Sequence, residues 1–356
     1  MGDYKMYDTS KSQMWKEIFE QPRAVENAVK FNMETIKSIA AEVKKRKINT
    51  VVFAARGSSE HACQVGKYLF EIYCGMTASI ASPSVITSYE AIPDYSNILL
   101  IGVSQSGGAQ DVYETMKACE NQGGVCVSIT NVRDSLMTRV GSYYMNCECG
   151  PELSVTAAKS YITQLAIISA LAAYISDNND FIDEILHLKE IVSESLLIED
   201  QIRKIIPLYR NASNILIFGR GLLYALGLET ELKIQETSYL DARCYASSDY
   251  QHGPIAATRR FIPTIFFIAD NHTNDSIISL YNRLKKEYKI FSTVVTNNKN
   301  LIKDADEIIE LPTNHEGLKA VFSCTIFSQM FSCLLSIARG YNPDAPEGVS
   351  KKTVTR

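Results

Sequence analysis

The sequence predicts an α/β protein with two subdomains, each a doubly wound, mainly parallel sheet flanked by helices. Its 356 residues, 46% of them hydrophobic, are enough for two cores of ordinary size. From residue 48 onward, short β-branched runs end in small polar residues and lead into amphipathic stretches, as in INTVVFAARGSSEHACQVGKYLF. After a helical connector the pattern begins again with NILIFGRGLLYALGLETELK. Alternating strands and helices indicate a parallel sheet, so the repeat predicts two such sheets.

The hydrophobic pattern divides the chain into five segments. Residues 1–47 place apolar side chains three and four positions apart and predict a helical N-terminal arm. The first subdomain follows at 48–176, a helical connector at 177–210 and the second subdomain at 211–340. Residues 341–356 contain two prolines and show no periodicity, so we expect an irregular C-terminal tail.

Individual elements follow from the same pattern. In the first half we expect strands at INTVVFAA, NILLIGV and GGVCVSITN, followed by a helix at AAKSYITQLAIISALAAYI. In the second half we expect strands at SNILIF, DARCYASS, FIPTIFFIA, KIFSTVVTN and ADEIIELP. Helices are expected there from Leu222, at NDSIISLYNRLKKEY, and from Leu318 to about Ala338.

Composition and charge exclude several classes of protein. The net charge of −4 and the lack of a long basic run argue against a nucleic-acid-binding surface. The nine cysteines are scattered through apolar runs, which is typical of reduced thiols packed as small hydrophobic groups. No apolar leader and no run of 18 apolar residues is evident, so we expect a cytoplasmic protein with no membrane partner.

Two serine-rich turns follow strands of the first subdomain. One is Arg56 to Ser59, and the other is Ser104 to Gly108, with the sequence SQSGG. Both should lie at the carboxyl edge of the sheet, where open α/β folds bind their ligands. Hydroxyl and backbone N–H groups at a helix N-terminus can bind a phosphate. The alternative is that these serines only cap helices. No GxxxxGK[ST] motif is present, so a nucleotide P-loop is not indicated.

Seven motifs in order resemble one family. EIFEQPRAV, ARGSSEHA, SQSGGAQD, GPELSVTAAKSYITQL, GRGLLYALGLETELKIQETSYLDA, QHGPIA and GVSKKTVTR are similar to the isomerase half of glucosamine-6-phosphate synthase. They also resemble its stand-alone relatives, the SIS (sugar isomerase) domain phosphosugar deaminases and deglycases. The resemblance covers nearly the whole chain and implies that both subdomains have the SIS fold.

The resemblance also implies the roles of individual residues. It implies that the phosphate is bound by Ser58, Ser59, Ser104, Gln105 and Ser106, and that the sugar is contacted by Gly57, Val155, Ala157 and Ser350. Glu236 would be the base, with Lys233 assisting near the open-chain sugar. His252 would open the sugar ring from a neighbouring subunit, so the active site would be shared within a homodimer, and Lys351 would close over the substrate. No cofactor and no metal are implied.

The sequence departs from the synthase pattern at several positions. Gly108-Ala109 stands in place of Glu-Thr, Ala157-Ala158-Lys159 in place of Ser-Thr-Lys, and Gln235 in place of a lysine. The resemblance also leads us to expect that the glutaminase half is absent, because Met1 is followed by glycine and not by the cysteine nucleophile of that domain. We therefore expect chemistry in the amine-releasing direction.

The residue types suit proton transfer between sugar carbons. Glu236 and Lys233 are three positions apart, so they share one face of the predicted helix; a surface ion pair is the alternative. His252 precedes Gly253-Pro254, a turn that can present an imidazole at a helix entrance. The other four histidines lack such a context and are interpreted as structural. Cys147 and Cys149 have no second Cys/His pair at zinc spacing.

Three functions remain open from the sequence. The leading hypothesis is glucosamine-6-phosphate deaminase-like chemistry, which yields fructose 6-phosphate and ammonia. The second is a deglycase that cleaves a 6-phosphorylated fructosyl amino acid by the same proton transfer. The third is a non-catalytic sugar-phosphate sensor, although a sensor needs only the phosphate loops and no base. The sequence does not distinguish whether Arg56 and Arg220 support loops or approach the substrate.

Overall fold

The computed structural model describes residues 8–351, which form two compact units. The first unit comprises 20–152, 159–189 and 350–351. The second unit comprises 8–19, 153–158 and 190–349. Residues 1–7 of the predicted arm and 352–356 of the predicted tail lie outside the described residues.

Each unit is built on one five-stranded sheet whose paired strands are parallel. The first sheet consists of β1 (Thr50–Ala54), β2 (Thr77–Ile80), β3 (Leu99–Val103), β4 (Val125–Thr130) and β5 (Tyr143–Asn146). The second consists of β6 (Asn214–Gly219), β7 (Asp241–Ala246), β8 (Pro263–Ile268), β9 (Phe291–Thr296) and β10 (Glu307–Glu310). Their orders are β2-β1-β3-β4-β5 and β10-β9-β8-β6-β7. Counted from their own first strands, both sheets have the order 2-1-3-4-5, so the predicted fold class and repeat are confirmed.

Helices precede, connect and follow the strands. Before and within the first sheet they are α1 (Gln13–Phe19), α2 (Gln21–Arg46), α3 (Ser58–Cys74), α4 (Ser84–Thr87) and α5 (Gln110–Asn121). Those that follow, up to β6, are α6 (Lys159–Ser176), α7 (Asn179–Leu186), α8 (Leu188–Ser195) and α9 (Glu199–Tyr209). The remaining ones are α10 (Leu222–Ser238), α11 (Ser247–Tyr250), α12 (Asn274–Tyr288) and α13 (Leu318–Ala338). Residues 341–351 contain no helix or strand, as predicted for the tail.

The central strands of the first sheet are buried along their whole length. Every residue of β3 and of β4 is buried, which is typical of parallel strands covered on both faces. Such strands read as continuous apolar runs, which is why LLIGV and VCVSIT were recognisable in the sequence.

Two long helices are buried on nearly all sides. Sixteen residues of α6 are buried, and α13 is equally apolar around its circumference. By length and composition α13 would fit a membrane span, but 94% of its most apolar window is buried inside the protein. It therefore belongs to the core of the second unit.

Two strands were not predicted from the sequence. They are β2 and β5, each four residues long and at an edge of the first sheet. Only Ala78 of β2 is fully buried, and the first two residues of β5 are partly exposed. Edge strands of this length lack the apolar run that identifies a buried strand.

Candidate active site

The structure distributes the predicted site residues between the two units. The first unit contains Gly57, Ser58, Ser59, Ser104, Gln105, Ser106, Ser350 and Lys351. The second unit contains Val155, Ala157, Lys233, Glu236 and His252.

The two serine-rich loops follow neighbouring strands. β1 and β3 are paired in parallel, with Val51 opposite Leu99 and Ala54 opposite Gly102. In the order β2-β1-β3-β4-β5, the boundary between β1 and β3 is the point where the chain changes direction across the sheet. Open α/β sheets bind ligands at this switch point, beyond the carboxyl ends of the strands. The structure therefore brings the two predicted phosphate loops to the usual ligand position of this fold.

The first loop leads directly into a helix. Gly57 has φ +56° and is followed by Ser58, the first residue of α3. The N–H groups of Glu60 and His61 donate to the Gly57 oxygen, at 2.9 and 3.1 Å. The N-cap residue is Gly57, which has no side chain, and Ser58 and Ser59 lie inside α3. The alternative that these serines are caps is therefore not supported, and the helix itself provides no acceptor for the N–H groups of Ser58 and Ser59.

The second loop is held by its backbone. Ser104 N–H donates to the Ile129 oxygen at 3.1 Å, and the Gln105 oxygen accepts from Asn131 N–H at 3.0 Å. Gly107 has φ +62°, and a Cβ at this position would lie 2.1 Å from Ser135 Oγ. Only glycine fits under both constraints. The side chains of Ser104, Gln105 and Ser106 stay partly exposed, so this rigid loop leaves polar groups accessible.

An ion pair joins the first loop to the helix after the second. Arg56 Nε and Nη2 lie 2.8 and 2.7 Å from Asp111 Oδ2. Asp111 lies in the first turn of α5, and its side chain is only 3% exposed. Its other oxygen accepts from the N–H of Val112 at 2.9 Å. Arg56 therefore links the two loops. Asp111 was not singled out from the sequence, because the pairing depends on the contact between β1 and β3.

The predicted catalytic pair forms on α10. Lys233 Nζ lies 2.6 Å from Glu236 Oε2, and the Lys233 side chain is fully buried. The Glu236 side chain is 20% exposed, so this carboxylate remains within reach of a ligand. Sequence reasoning missed Glu229, whose Oε1 lies 3.5 Å from the same ammonium and whose side chain is buried. Its i, i+4 spacing from Lys233 was the signal that could have identified it.

The buried ammonium is thus flanked by two carboxylates. Charged groups removed from water require close partners of opposite charge. One carboxylate, Glu229, is enclosed together with Lys233, and the other, Glu236, reaches the surface of the unit. The surface ion pair considered from the sequence is therefore excluded for Lys233.

His252 lies on an exposed turn. Its backbone N–H donates to the backbone oxygen of Asp249 at 3.1 Å, and a short 3-10 helix, Pro254–Ala257, begins two residues later. This is the helix entrance predicted from Gly253-Pro254. Among the other histidines, His315 is fully buried and lies 2.7 Å from Ser323 Oγ and 3.0 Å from Glu194. His315 fits the structural role expected for it.

The Val155 segment is held by the carboxylate of Glu17 and by the backbone oxygen of Asp344. Glu17 is buried, and its Oε1 and Oε2 accept from Leu153 N–H and Ser154 Oγ, both at 2.5 Å. Val155 N–H donates to the Asp344 oxygen at 2.9 Å. Glu17 belongs to the EIFEQP motif, whose role the sequence did not reveal. Its carboxylate positions a loop that is distant in sequence.

Lys351 contacts Glu152 in the first unit. Its ammonium donates to the Glu152 backbone oxygen and lies 3.8 Å from Oε2. The buried Glu152 carboxylate also accepts from Ser160 N–H and Oγ, at 2.9 and 2.8 Å. Ser350 is exposed. The end of the described chain is therefore tied to the start of α6.

Cys147 and Cys149 provide neither a metal site nor a reactive thiol. Within residues 8–351, no group of three or more His, Cys, Asp or Glu side chains is arranged to hold a metal ion. Burial raises the pKa of Cys149 to about 12 and that of Cys147 well above its usual value. Both thiols are neutral at physiological pH.

Known proteins resemble this chain over most of its length. The SIS domain family model matches residues 44–174 and 208–339. The glutamine–fructose-6-phosphate aminotransferase (isomerizing) of Pyrococcus horikoshii is 31% identical over 344 residues, which cover 95% of this chain and 57% of that protein. The chain thus spans little more than half the length of this curated relative.

Solved structures share the fold. The C-terminal domain of glucosamine-fructose-6-phosphate aminotransferase from Francisella tularensis has a TM-score of 0.84 at 24% identity, covering 94% of this chain and 98% of that one. Glucosamine-6-phosphate deaminase from Thermotoga maritima has a TM-score of 0.74 at 21% identity, covering 97% and 100%. At these identities the likeness concerns the fold alone.

Proposed function

The chain belongs to the SIS domain family, and we propose that it moves a proton between adjacent carbons of a sugar 6-phosphate. In its specific form, the proposed reaction is the deamination of glucosamine 6-phosphate to fructose 6-phosphate and ammonia. The observation that carries the proposal is the contact between buried Lys233 and partly exposed Glu236. A carboxylate beside a fixed ammonium suits the abstraction of a carbon-bound proton.

The phosphate group is assigned to the serine loops of the first unit. They flank the switch point between β1 and β3, and they offer hydroxyl, amide and backbone N–H donors. A relative named for fructose 6-phosphate supports a substrate of this class. The assignment of the serine loops and of the Lys233–Glu236 pair to one reaction rests on the family resemblance.

The proposed chemistry requires one base that acts twice. In the open-chain amino sugar, Glu236 removes the proton from C2 while O1 gains a proton, which gives an enolamine. Glu236 then returns its proton to C1 while the amino group loses one. The product is an imine at C2. Water adds to this imine and ammonia leaves, so glucosamine 6-phosphate and water become fructose 6-phosphate and ammonia. Lys233 provides positive charge beside the carboxylate that carries the proton.

Two further residues complete the proposal. His252, contributed by a second copy of the chain in a homodimer, transfers the proton that opens the sugar ring. Its exposure on a turn suits a residue that acts on a neighbouring subunit. Lys351 leaves Glu152 and closes over the bound substrate, which adds a cation to the site.

A substrate panel tests the proposal. Purified protein is incubated with glucosamine 6-phosphate and, separately, with fructosyl-lysine 6-phosphate, and ammonia and free lysine are quantified. We expect ammonia from the first substrate, and release at least about 100-fold slower by Glu236→Gln. Release of lysine alone would replace deamination by the deglycase reaction. A protein that binds these compounds but turns over neither would be a sugar-phosphate sensor, and the proposed reaction would be wrong.

A further inference from the structure

We infer that Arg56 binds the substrate phosphate directly and that Asp111 holds its guanidinium in position for this contact. The inference rests on the proposed phosphate site and adds to it a cation, since the donors assigned from the sequence are all neutral. It also settles the role of an arginine that the sequence left open between loop support and ligand binding.

The position of Arg56 is the first argument. It comes immediately before Gly57, at the carboxyl end of β1, and its carboxylate partner lies in the first turn of α5. The guanidinium therefore connects the first loop to the helix that follows the second loop. Within the sequences RGSS and SQSGG of these loops, Arg56 is the one ionisable side chain. A bound phosphate dianion would otherwise meet only neutral donors of the loops.

The geometry of the ion pair is the second argument. Both contacts, from Nε and from Nη2, go to the same oxygen of Asp111. Nη1 takes no part in this pair, so one side of the planar guanidinium keeps donors for a second acceptor. The Arg56 side chain is 48% exposed, whereas its partner is 3% exposed. A buried carboxylate thus orients a cation that solvent, or a ligand, can reach.

The charges of Arg56 and Asp111 also support phosphate binding by Arg56. A buried carboxylate needs a partner of opposite charge, and Arg56 supplies it without being buried itself. Arginine and phosphate form charge-assisted, often bidentate hydrogen bonds, which are about twice as strong as neutral ones. A fixed guanidinium also loses less side-chain freedom on binding than a free one would.

Arg220 provides a matched control. It occupies the equivalent place after β6, the first strand of the second sheet, and likewise precedes a glycine that starts a helix. Its Nη1 donates to Ser248 Oγ. The loop that follows β8, the counterpart of β3, contains Asp270 in place of a serine cluster. A negative charge there disfavours an anion, so Arg220 should not affect phosphate binding.

The test measures the dissociation constants of inorganic phosphate and of fructose 6-phosphate by calorimetry. The variants are Arg56→Gln, Arg56→Lys, Asp111→Asn and Arg220→Met. The glutamine amide can still donate to Asp111 but carries no charge, whereas lysine keeps the charge without the planar fork. All are compared with wild type at one salt concentration.

We expect Arg56→Gln to weaken phosphate binding by at least about 10-fold, which is the usual scale for a lost charge-assisted hydrogen bond. Arg56→Lys should recover part of the loss, and Arg220→Met should bind as wild type does. Asp111→Asn should lose less affinity than Arg56→Gln does, because the guanidinium keeps its charge but is no longer held by a carboxylate. Equal losses of phosphate affinity in Arg56→Gln and Asp111→Asn would show that the ion pair has only a structural role, and would overturn the inference. If Asp111→Asn fails to fold, Gln and Lys variants of equal affinity overturn the inference.

The outcome is separable from that of the proposed reaction. Phosphate binding that depends on Arg56, without turnover of any amino sugar phosphate, would retain the inference and reject the deaminase. If the protein deaminates glucosamine 6-phosphate and Arg56→Gln binds phosphate as tightly as wild type, the deaminase would be retained and the inference rejected. A wild-type protein that binds no phosphate would overturn the inference outright.

Discussion

The ammonium of Lys233 lies 2.6 Å from Glu236 Oε2, although the lysine side chain itself is fully buried. The pair occupies the last two turns of α10, and Glu229 approaches the same ammonium from one turn earlier, at 3.5 Å. The buried ammonium contacts the enclosed carboxylate of Glu229 and the partly exposed carboxylate of Glu236. This arrangement holds the Glu236 carboxylate in a fixed position. We therefore expect the stability of the fold and the proposed chemistry to depend on the same lysine.

The first prediction concerns this charge balance. Lys233→Met should lower the free energy of unfolding by about 3–5 kcal/mol, because Glu229 would then be buried without its cation. Urea denaturation of the purified variant measures the change. The matched control is the double variant Lys233→Met/Glu229→Gln, which removes the stranded charge as well. It should recover about 0.5–3 kcal/mol. Equal stability of the single and double variants would show that Glu229 does not depend on Lys233.

Ser104 and Ser106 should contribute directly to phosphate binding. Ser104→Ala or Ser106→Ala should weaken the binding of a sugar phosphate by roughly 1–3 kcal/mol, because a phosphate oxygen loses its donor in a partly desolvated site. Titration calorimetry gives the affinities, with the exposed Ser88→Ala of the same unit as control. Unchanged affinity in both loop variants would move the phosphate away from this loop.

The tail prediction follows from the contact of Lys351 with Glu152. Deleting residues 349–356 should suppress turnover and leave the thermal unfolding temperature nearly unchanged, because residues 341–351 add no helix or strand. The control is a shorter deletion of 353–356, which keeps Lys351. Normal kinetics in the longer deletion would remove the tail from the mechanism.

Much of the fold could be predicted from the sequence, because its central strands are buried on both faces. β3 and β4 read as apolar runs, and the repeat after β6 marked the second sheet. β2 and β5 escaped notice because short, half-exposed edge strands carry no such run. The predicted domain boundaries stay predictions, although the structure assigns α1 to the second unit and α2 to the first.

The candidate site could be predicted from the sequence only where its residues are close together in the chain. The serine loops and the Lys233–Glu236 spacing could be read locally. Asp111, Glu17 and Asp344 could not, because their partners are distant in the chain and are set by tertiary contacts. No sequence pattern specifies which distant side chain or backbone group each of these residues will contact.

A complementation experiment tests the shared active site. Glu236→Gln and His252→Asn proteins, each inactive, are mixed under conditions that let subunits exchange. With random pairing, half of the dimers are mixed and each mixed dimer has one site with both residues intact, so activity should return to about a quarter of wild type. Continued inactivity after exchange has been demonstrated by labelled subunits would mean that both residues act within one chain.

The central claim is that Glu236 transfers the carbon-bound proton, and deuterium incorporation tests it most directly. Glucosamine 6-phosphate is incubated with the protein in D2O, and NMR follows deuterium at C1 of the fructose 6-phosphate formed while ammonia is quantified. We predict incorporation and ammonia release by wild type. For Glu236→Gln we predict that both fall at least about 100-fold while the affinity for inorganic phosphate is unchanged. A Glu236→Gln protein that incorporates deuterium at the wild-type rate would contradict the account.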